Sequence, residues 1–393
     1  MFSWVEELIC QYLKFNRLLL LFAIGIPQIV QGEEMLSDNQ HVIKQLSALS
    51  SQDGPGVQYI VLDKNEIIFS ASRGLADIEN NIPLSIDHTM SIFSMTKTLT
   101  AISILQLVER HKLVLDDKVS KYVVHPYNSE ITIRHLLSHT SGIPDPIPLK
   151  WVHLASKHSE FDEHQSLTKV LKDNSEPNSL PGEKYGYSNI GYWLLGGVIE
   201  VVSGKQYCSY IEGNLTNVLG LSPNEIGCEI INGRNHAKGY LNKYSLFNLA
   251  KYFVMDKEIW GKYEGSWLHI NNVYINGPSF GGVISSAKAI SRILQDLLKD
   301  KSRILSNDMK DQLYAQQKTA DGDPVDMTLG WHIGSLSGAK YYFKEGGGAG
   351  FHCEMRIYPD MGLASVMIVN KTSLNTKKEL SQLDSGFIKK YNK

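Results

Sequence analysis

The chain has 393 residues, 42% of them hydrophobic and 20% charged, and a formal net charge of -2. That balance belongs to a globular protein with a sizeable core and excludes a disordered or fibrous chain. No cluster of lysine and arginine alternates with aromatics, so the electrostatic footprint of a nucleic-acid binder is missing, and a small molecule or short peptide is the expected partner.

The first residues read as an address. Lys14 and Arg17 precede the apolar run "LLLLFAIGI", Pro27 follows, and "VQG" ends in the small residue Gly32. The pattern predicts a signal peptide over residues 1–32, cleaved near Gly32, and a mature domain over 33–393 that is exported to a periplasm or secreted. Leu18 to Val30 is 13 residues, short of the ~20 that span a bilayer, so no stable membrane span is expected after cleavage; an uncleaved leader would act as an anchor. Of the four cysteines, Cys10 leaves with the leader. Cys208, Cys228 and Cys353 show no zinc-binding spacing, and Cys208 with Cys228 fits either a disulfide in an oxidising compartment or two buried thiols. With no HExxH, EF-hand loop or GxxxxGK[ST] either, no metal and no cofactor are expected.

Next, "VQYIVLDKNEIIFSASRG" predicts an antiparallel hairpin turning at Asp63, Lys64 and Asn65, because β-branched and aromatic residues flank turn formers on both sides. From Ser94 to about His111, Leu99, Ile102, Leu105 and Val108 recur at helical spacing, while Ala101, Ile104 and Leu107 widen the stripe into that of a buried helix. Residues of about 115–275 mix helical patterns with loops such as "SGIPDPIPLK" and "SEPNSLPGEKYGYSN". A helix at "SSAKAISRILQDLLKD", four strands at "MTLGWHIGS", "KYYFKE", "HCEMRIYPD" and "LASVMIVN", and a final helix at "TKKELSQLDSGFIKKY" complete the chain. The predicted class is α+β: an antiparallel sheet built from N- and C-terminal segments and flanked by helices, with an inserted, mostly helical lobe at about 115–275. Sequons stand at Asn214 and Asn370 and matter only if the source glycosylates exported proteins.

Three short stretches carry candidate chemistry. In "SIFSMTKTLT", Ser94 and Lys97 lie three residues apart on one helix face, where an amine can reach the hydroxyl and serve as the base a serine nucleophile needs. Burial would favour the neutral amine. The alternative reading of Ser94 is a simple helix cap. "PGEKYGYSNIGYWLLGG" sets Tyr187 and Asn189 just ahead of an apolar helix, and "KEGGGAGF" ends a strand with Lys344, Gly346 and Gly347. Together these resemble the motif triplet of the serine beta-lactamase and penicillin-binding protein superfamily, standing here as Ser94-Met-Thr-Lys97, Tyr187-Ser-Asn189 and Lys344-Glu-Gly346. The segments "HLLSHTSGIPD", "LDDKVSKY", "GGVISSAKAISRIL" and "LGWHIGS" look like those of its class C branch, in family order, over about residues 45–390.

That resemblance implies a beta-lactamase/transpeptidase-like fold and a serine hydrolase that acts through an acyl-enzyme on a lactam, a D-peptide or an ester. It also admits a non-catalytic relative that binds penicillin or peptidoglycan fragments. By the same resemblance Ser94 is the nucleophile. Lys97 and Tyr187 share the proton work, with an ammonium beside Tyr187 favouring phenolate. Asn189 orients the substrate amide, Lys344 supplies positive charge, and the N–H groups of Ser94 and Gly347 form the oxyanion hole beside the glycine run. His135 and His139 are expected to be structural histidines satisfied by backbone.

Two residues compete with or modify this reading. "GPSFG" matches GxSxG at Ser279, which would make the chain an α/β-hydrolase. Pro278 occupies the elbow, however, and the next helix is expected only from about Ser285. Glu345 replaces the family's threonine after the motif lysine. Facing the cleft it would repel anionic lactams, whereas on strand alternation it would point away.

Overall fold

The computed structural model describes residues 38–372 and 374–391. The expected leader over residues 1–32, Cys10 included, lies outside them. Strands β1 (Val57–Asp63), β2 (Ile67–Arg73), β3 (His332–Leu336), β4 (Ala339–Gly348), β5 (Phe351–Tyr358) and β6 (Leu363–Val369) form one antiparallel sheet in the order β3-β4-β5-β6-β1-β2. The hairpin β1–β2 turns where expected, because Asp63 Oδ1 accepts the backbone N–H groups of Asn65 and Glu66 in an Asx turn. The two halves of the chain meet at β1 and β6, in register from Val57 opposite Val369 to Asp63 opposite Leu363.

Five helices matter to the site: α1 (Asp38–Leu49), α2 (Thr96–Glu109), α3 (Asn189–Ser203), α4 (Ala287–Leu298) and α5 (Thr376–Tyr391). Strand alternation sorts β1 between two cores. Val57, Tyr59 and Val61 join Leu46 of α1 and Leu380, Leu383 and Phe387 of α5 on one face. Ile60 and Leu62 join the larger cluster with α2, α3 and α4 on the other. Helix α2 is the centre of that cluster, buried from Thr96 to Leu107, as its all-round apolar pattern requires.

The inserted region carries more sheet than its sequence pattern suggests. Gly239–Asn242, Trp267–Ile270 and Trp260–Glu264 form a three-stranded antiparallel sheet, and Val152–Leu154 pairs with Val273–Ile275. Strands this short give little period-2 signal, so they read as loop between helical patterns. A disulfide joins Cys208 to Cys228, leaving Cys353 a buried free thiol among the described residues. Asn370, one of the two sequon asparagines, is buried with its amide spent on Gly56 N–H, Leu75 O and Lys238 O, so in the folded chain it clamps strands rather than presenting a glycan site. Among the described residues no helix is long and apolar enough to cross a membrane.

Candidate active site

Ser94 sits in a 3-10 turn, Phe93–Met95, that leads into α2. Its side chain caps neither helix, which removes the simple capping role. The residue before it, Phe93, holds φ at +42°, a left-handed conformation uncommon for a bulky residue and typical of places where surrounding structure overrides local preference. The override is visible in the fixed Ile92 backbone: its N–H bonds to Val283 O and its carbonyl accepts from Met95 N–H.

One helical turn on, Lys97 is fully buried with Nζ 3.0 Å from Ser94 Oγ. Nζ also donates to Asn189 Oδ1 and to Phe280 O, both at 2.7 Å. Burial, reinforced by the charge of Lys344, holds this amine well below the ordinary lysine range, a shift toward the neutral form. A neutral amine has two N–H bonds and one lone pair. Asn189 Oδ1 and the Phe280 carbonyl can only accept, so they take the two N–H bonds, and the lone pair is left for the proton of Ser94.

Tyr187 and Asn189 are delivered by two loops that zip together ahead of α3. Gly182 N–H bonds to Thr140 O, Gly186 N–H to His139 O and Asn178 N–H to Gly142 O. Gly142 has φ +74°, and a Cβ there would lie 2.1 Å from Ser179 O, so only glycine lets the loops close this tightly. Ser188 caps α3 by accepting from Gly191 N–H, which puts its two neighbours at the helix mouth. The Tyr187 hydroxyl donates to Ser94 Oγ at 2.9 Å. Lys97 and Lys344 each place Nζ 5.0 Å from the Tyr187 ring centroid. The expected phenolate does not result: burial pushes the Tyr187 phenol well above the usual tyrosine range, and the hydrogen bond to Ser94 offsets this only in part.

The third element is the end of β4. Lys344 is buried, with Nζ 3.5 Å from His332 Nε2, and burial brings its amine down to about 7. Gly346 faces the same way: a Cβ on it would come within 2.2 Å of Ile92 O and 3.0 Å of Ser94 N. Only a glycine therefore lets this strand run against the nucleophile's turn. Gly347 lies opposite His352 in the ladder, where a Cβ would meet the His352 ring. Glu345 turns the same way, and its carboxylate is bound by His352 Nε2 at 2.6 Å and by the Thr376 hydroxyl at 3.3 Å. The alternation reading is the one the structure adopts, and the expected repulsion of anionic lactams by Glu345 loses its basis.

Other sequence candidates fall outside the reacting group. His139 Nδ1 accepts Ser188 N–H at 3.1 Å, and its ring lies 4.3 Å from that of Tyr187. Burial holds it well below the usual histidine range, so it supports Tyr187 as a neutral ring. His135 forms a capping box with Thr132. Ser279 is buried, and its Oγ has no hydrogen-bond partner. A one-turn helix, Pro278–Gly281, begins around it, earlier than the expected start near Ser285, because proline is well suited to the first helical position. Its Oγ packs against α3, where a Cβ on Gly196 would approach to 2.4 Å. Sequence reasoning missed three contributors. The Phe280 carbonyl has no side-chain signature, His332 lies in the quoted segment "LGWHIGS", and Asp145 lies in "HLLSHTSGIPD". Asp145 Oδ1 accepts from both Asn189 N–H and Asn189 Nδ2 at 2.9 Å.

A neutral amine and a phenol thus converge on one hydroxyl, beside a second buried lysine and a close-running glycine strand. This arrangement can deprotonate Ser94 and return a proton to a leaving group.

A family model described as Beta-lactamase matches residues 39–382. The chain is similar to Penicillin-binding protein 4* of Bacillus subtilis (strain 168), 25% identical over 319 residues that make up 79% of this chain and 67% of that one. It is also similar to Protein flp of Staphylococcus aureus (strain COL), 29% identical over 214 residues, 52% of this chain and 42% of that protein. The chain therefore spans less than half the length of the staphylococcal relative. In fold it matches the octameric penicillin-binding protein homologue from Pyrococcus abyssi, with a TM-score of 0.72 at 21% identity over 90% of this chain and 77% of the other.

Proposed function

The chain belongs to the beta-lactamase family, and from that premise we propose that it is an exported serine hydrolase acting through an acyl-Ser94 intermediate on an amide, ester or beta-lactam bond. The observation that carries this reading is the position of Lys97 Nζ, 3.0 Å from Ser94 Oγ with its two other contacts made to obligate acceptors, so that the neutral amine has its lone pair free for the Ser94 proton. In the proposed sequence Lys97 takes the Ser94 proton as Oγ bonds to the substrate carbonyl carbon. The resulting oxyanion is held by the N–H groups of Ser94 and Gly347. Collapse breaks the bond to the leaving amine or alkoxide, which takes its proton from Tyr187, and Lys97 restores that proton. Water then attacks the acyl-serine by the same route in reverse. Lys344 supplies positive charge to the substrate. Asn189 spends its Oδ1 on Lys97 and one N–H on Asp145, so a single N–H remains for a substrate amide. No cofactor enters this scheme.

The Tyr187-Ser-Asn189 form of the second motif is our reason for placing the chain nearer the class C branch. Export rests on the leader pattern and is supported by the Cys208–Cys228 disulfide, which suits an oxidising compartment. The test is incubation with p-nitrophenyl acetate and with a fluorescent penicillin, followed by intact mass. Turnover of the ester with a transient Ser94 adduct is the expected result, and a Ser94→Ala variant should form none. A stable penicillin adduct without turnover would instead mean a penicillin-binding role, and no adduct from either probe would overturn the reading in favour of a non-catalytic relative.

A further inference from the structure

Asp145 stands in the loop that follows Ile133–Leu137, 44 residues before its partner Asn189. Its Oδ1 accepts two hydrogen bonds from that one residue, from the backbone N–H and from the side-chain Nδ2, each at 2.9 Å. Its Oδ2 is buried and has no partner. A carboxylate held this way is costly to the fold, since a desolvated acceptor without a donor destabilises it. A neutral side chain would serve packing better.

The amide of Asn189 is symmetric in shape and opposite in polarity at its two ends. With Oδ1 toward Lys97, as observed at 2.7 Å, it consumes one amine N–H. Rotated by half a turn, its NH2 would face Lys97, donate to the amine lone pair and block the base. Burial raises Asp145 above the usual carboxylate range, while both Asn189 donors and the Lys97 charge favour its ionised form; ionised, it cannot donate, so it accepts only the NH2 end and excludes the rotated form. We propose that Asp145 is a positioning residue that fixes the polarity of the Asn189 amide and thereby keeps the Lys97 lone pair aimed at Ser94. The inference rests on the acyl-Ser94 reading, with Lys97 as base.

Asp145 also acts through charge. The groups facing Lys97 are Tyr187 from the loop before α3, Tyr192 from α3, Lys344 and His332 from the sheet, His139 from the loop after Ile133–Leu137, and Asp145. Asp145 is the one carboxylate among them, and its negative charge raises the Lys97 amine against the lowering by burial and Lys344. Removing that charge must therefore lower the pH at which Lys97 becomes a free base.

The test is p-nitrophenyl acetate turnover against pH for the parent and for Asp145→Asn, with active sites counted from the Ser94 adduct by intact mass. Asp145→Asn should lose about 10- to 100-fold in turnover per active site, and its acid limb should move to lower pH. Asp145→Glu keeps an acceptor-only group and should hold the limb at the parent position even at a reduced rate. A rate within about twofold of the parent would overturn the proposal, as would a lower rate with an unmoved limb, which is the mark of a merely structural role. If Asp145→Asn does not fold, Asp145→Glu decides, and a displaced limb in that variant overturns the proposal. Should the parent form no Ser94 adduct at all, the acyl-serine reading itself falls and takes this inference with it.

Discussion

The Glu345 carboxylate takes a 2.6 Å hydrogen bond from His352, on the face of β4 away from its neighbour Lys344. Two consecutive residues of one strand thus serve opposite sides of the sheet, one beneath the Tyr187 ring and the other against the start of α5. Glu345→Thr should therefore leave penicillin acylation within about threefold of the parent while lowering stability by about 1 kcal/mol through the lost hydrogen bonds. Acylation kinetics beside a thermal melt would check both, and a tenfold faster acylation would place the carboxylate's influence back in the cleft.

Lys344 gives a pH dependence that varies with the substrate. Its amine, brought to about 7 by burial, is cationic below that pH and neutral above it. Attraction for an anionic substrate is present on the acid side and is lost as pH rises through about 7. KM for an anionic substrate should rise several-fold from about pH 6 to about pH 8.5, whereas KM for an uncharged ester should stay level. Parallel profiles for the two substrates would contradict the assignment.

Lys97 and Tyr187 set the acid limb and the size of the proton-transfer contribution. The amine sits well below its ordinary range and the phenol well above its own. Activity should accordingly fall as the pH drops and Lys97 takes up a proton, with no gain from ionising Tyr187. Tyr187→Phe should keep the fold and lose on the order of 10² to 10⁴ in turnover. Circular dichroism with ester kinetics would test it, and near-parent turnover would remove Tyr187 from the scheme.

Ser279 separates the two serine motifs. Its hydroxyl is buried without a partner, so Ser279→Ala should leave turnover within about twofold and stability unchanged or raised by about 1 kcal/mol. Loss of the acyl adduct in this variant, with the adduct retained in Ser94→Ala, would transfer the nucleophile to Ser279.

The parts of the site legible in the sequence are those that local spacing carries. Ser94 and Lys97 share a helix face, Tyr187 and Asn189 straddle the serine that caps α3, and Lys344 and Gly346 alternate onto one side of a strand. The sheet was legible for the same reason, since each strand carries its own pattern and turn. The hidden parts depend on distant partners. The Phe280 carbonyl reaches Lys97 across 183 residues, and backbone atoms leave no trace in a motif. Asp145 looks like an ordinary loop residue until Asn189 is folded against it. The neutrality of Tyr187 is hidden too, because proximity to lysines can be inferred from a motif, whereas the depth of desolvation cannot. The short strands of the inserted region likewise find their partners only in three dimensions.

The seam between β1 and β6 has a consequence for how the protein comes into being on the ribosome. Val57 waits for Val369, so β1, one strand in from the edge of the sheet, lacks one neighbour until the residues through Val369 have been made. Contacts of such long range are slow to form. Lys344 and Gly346 arrive with that same closing segment, long after Ser94, Lys97 and Tyr187. A nascent chain therefore carries its nucleophile without the strand that completes the cleft until β4 has been made, and under the proposed chemistry reactivity would switch on only once β4 to β6 have docked.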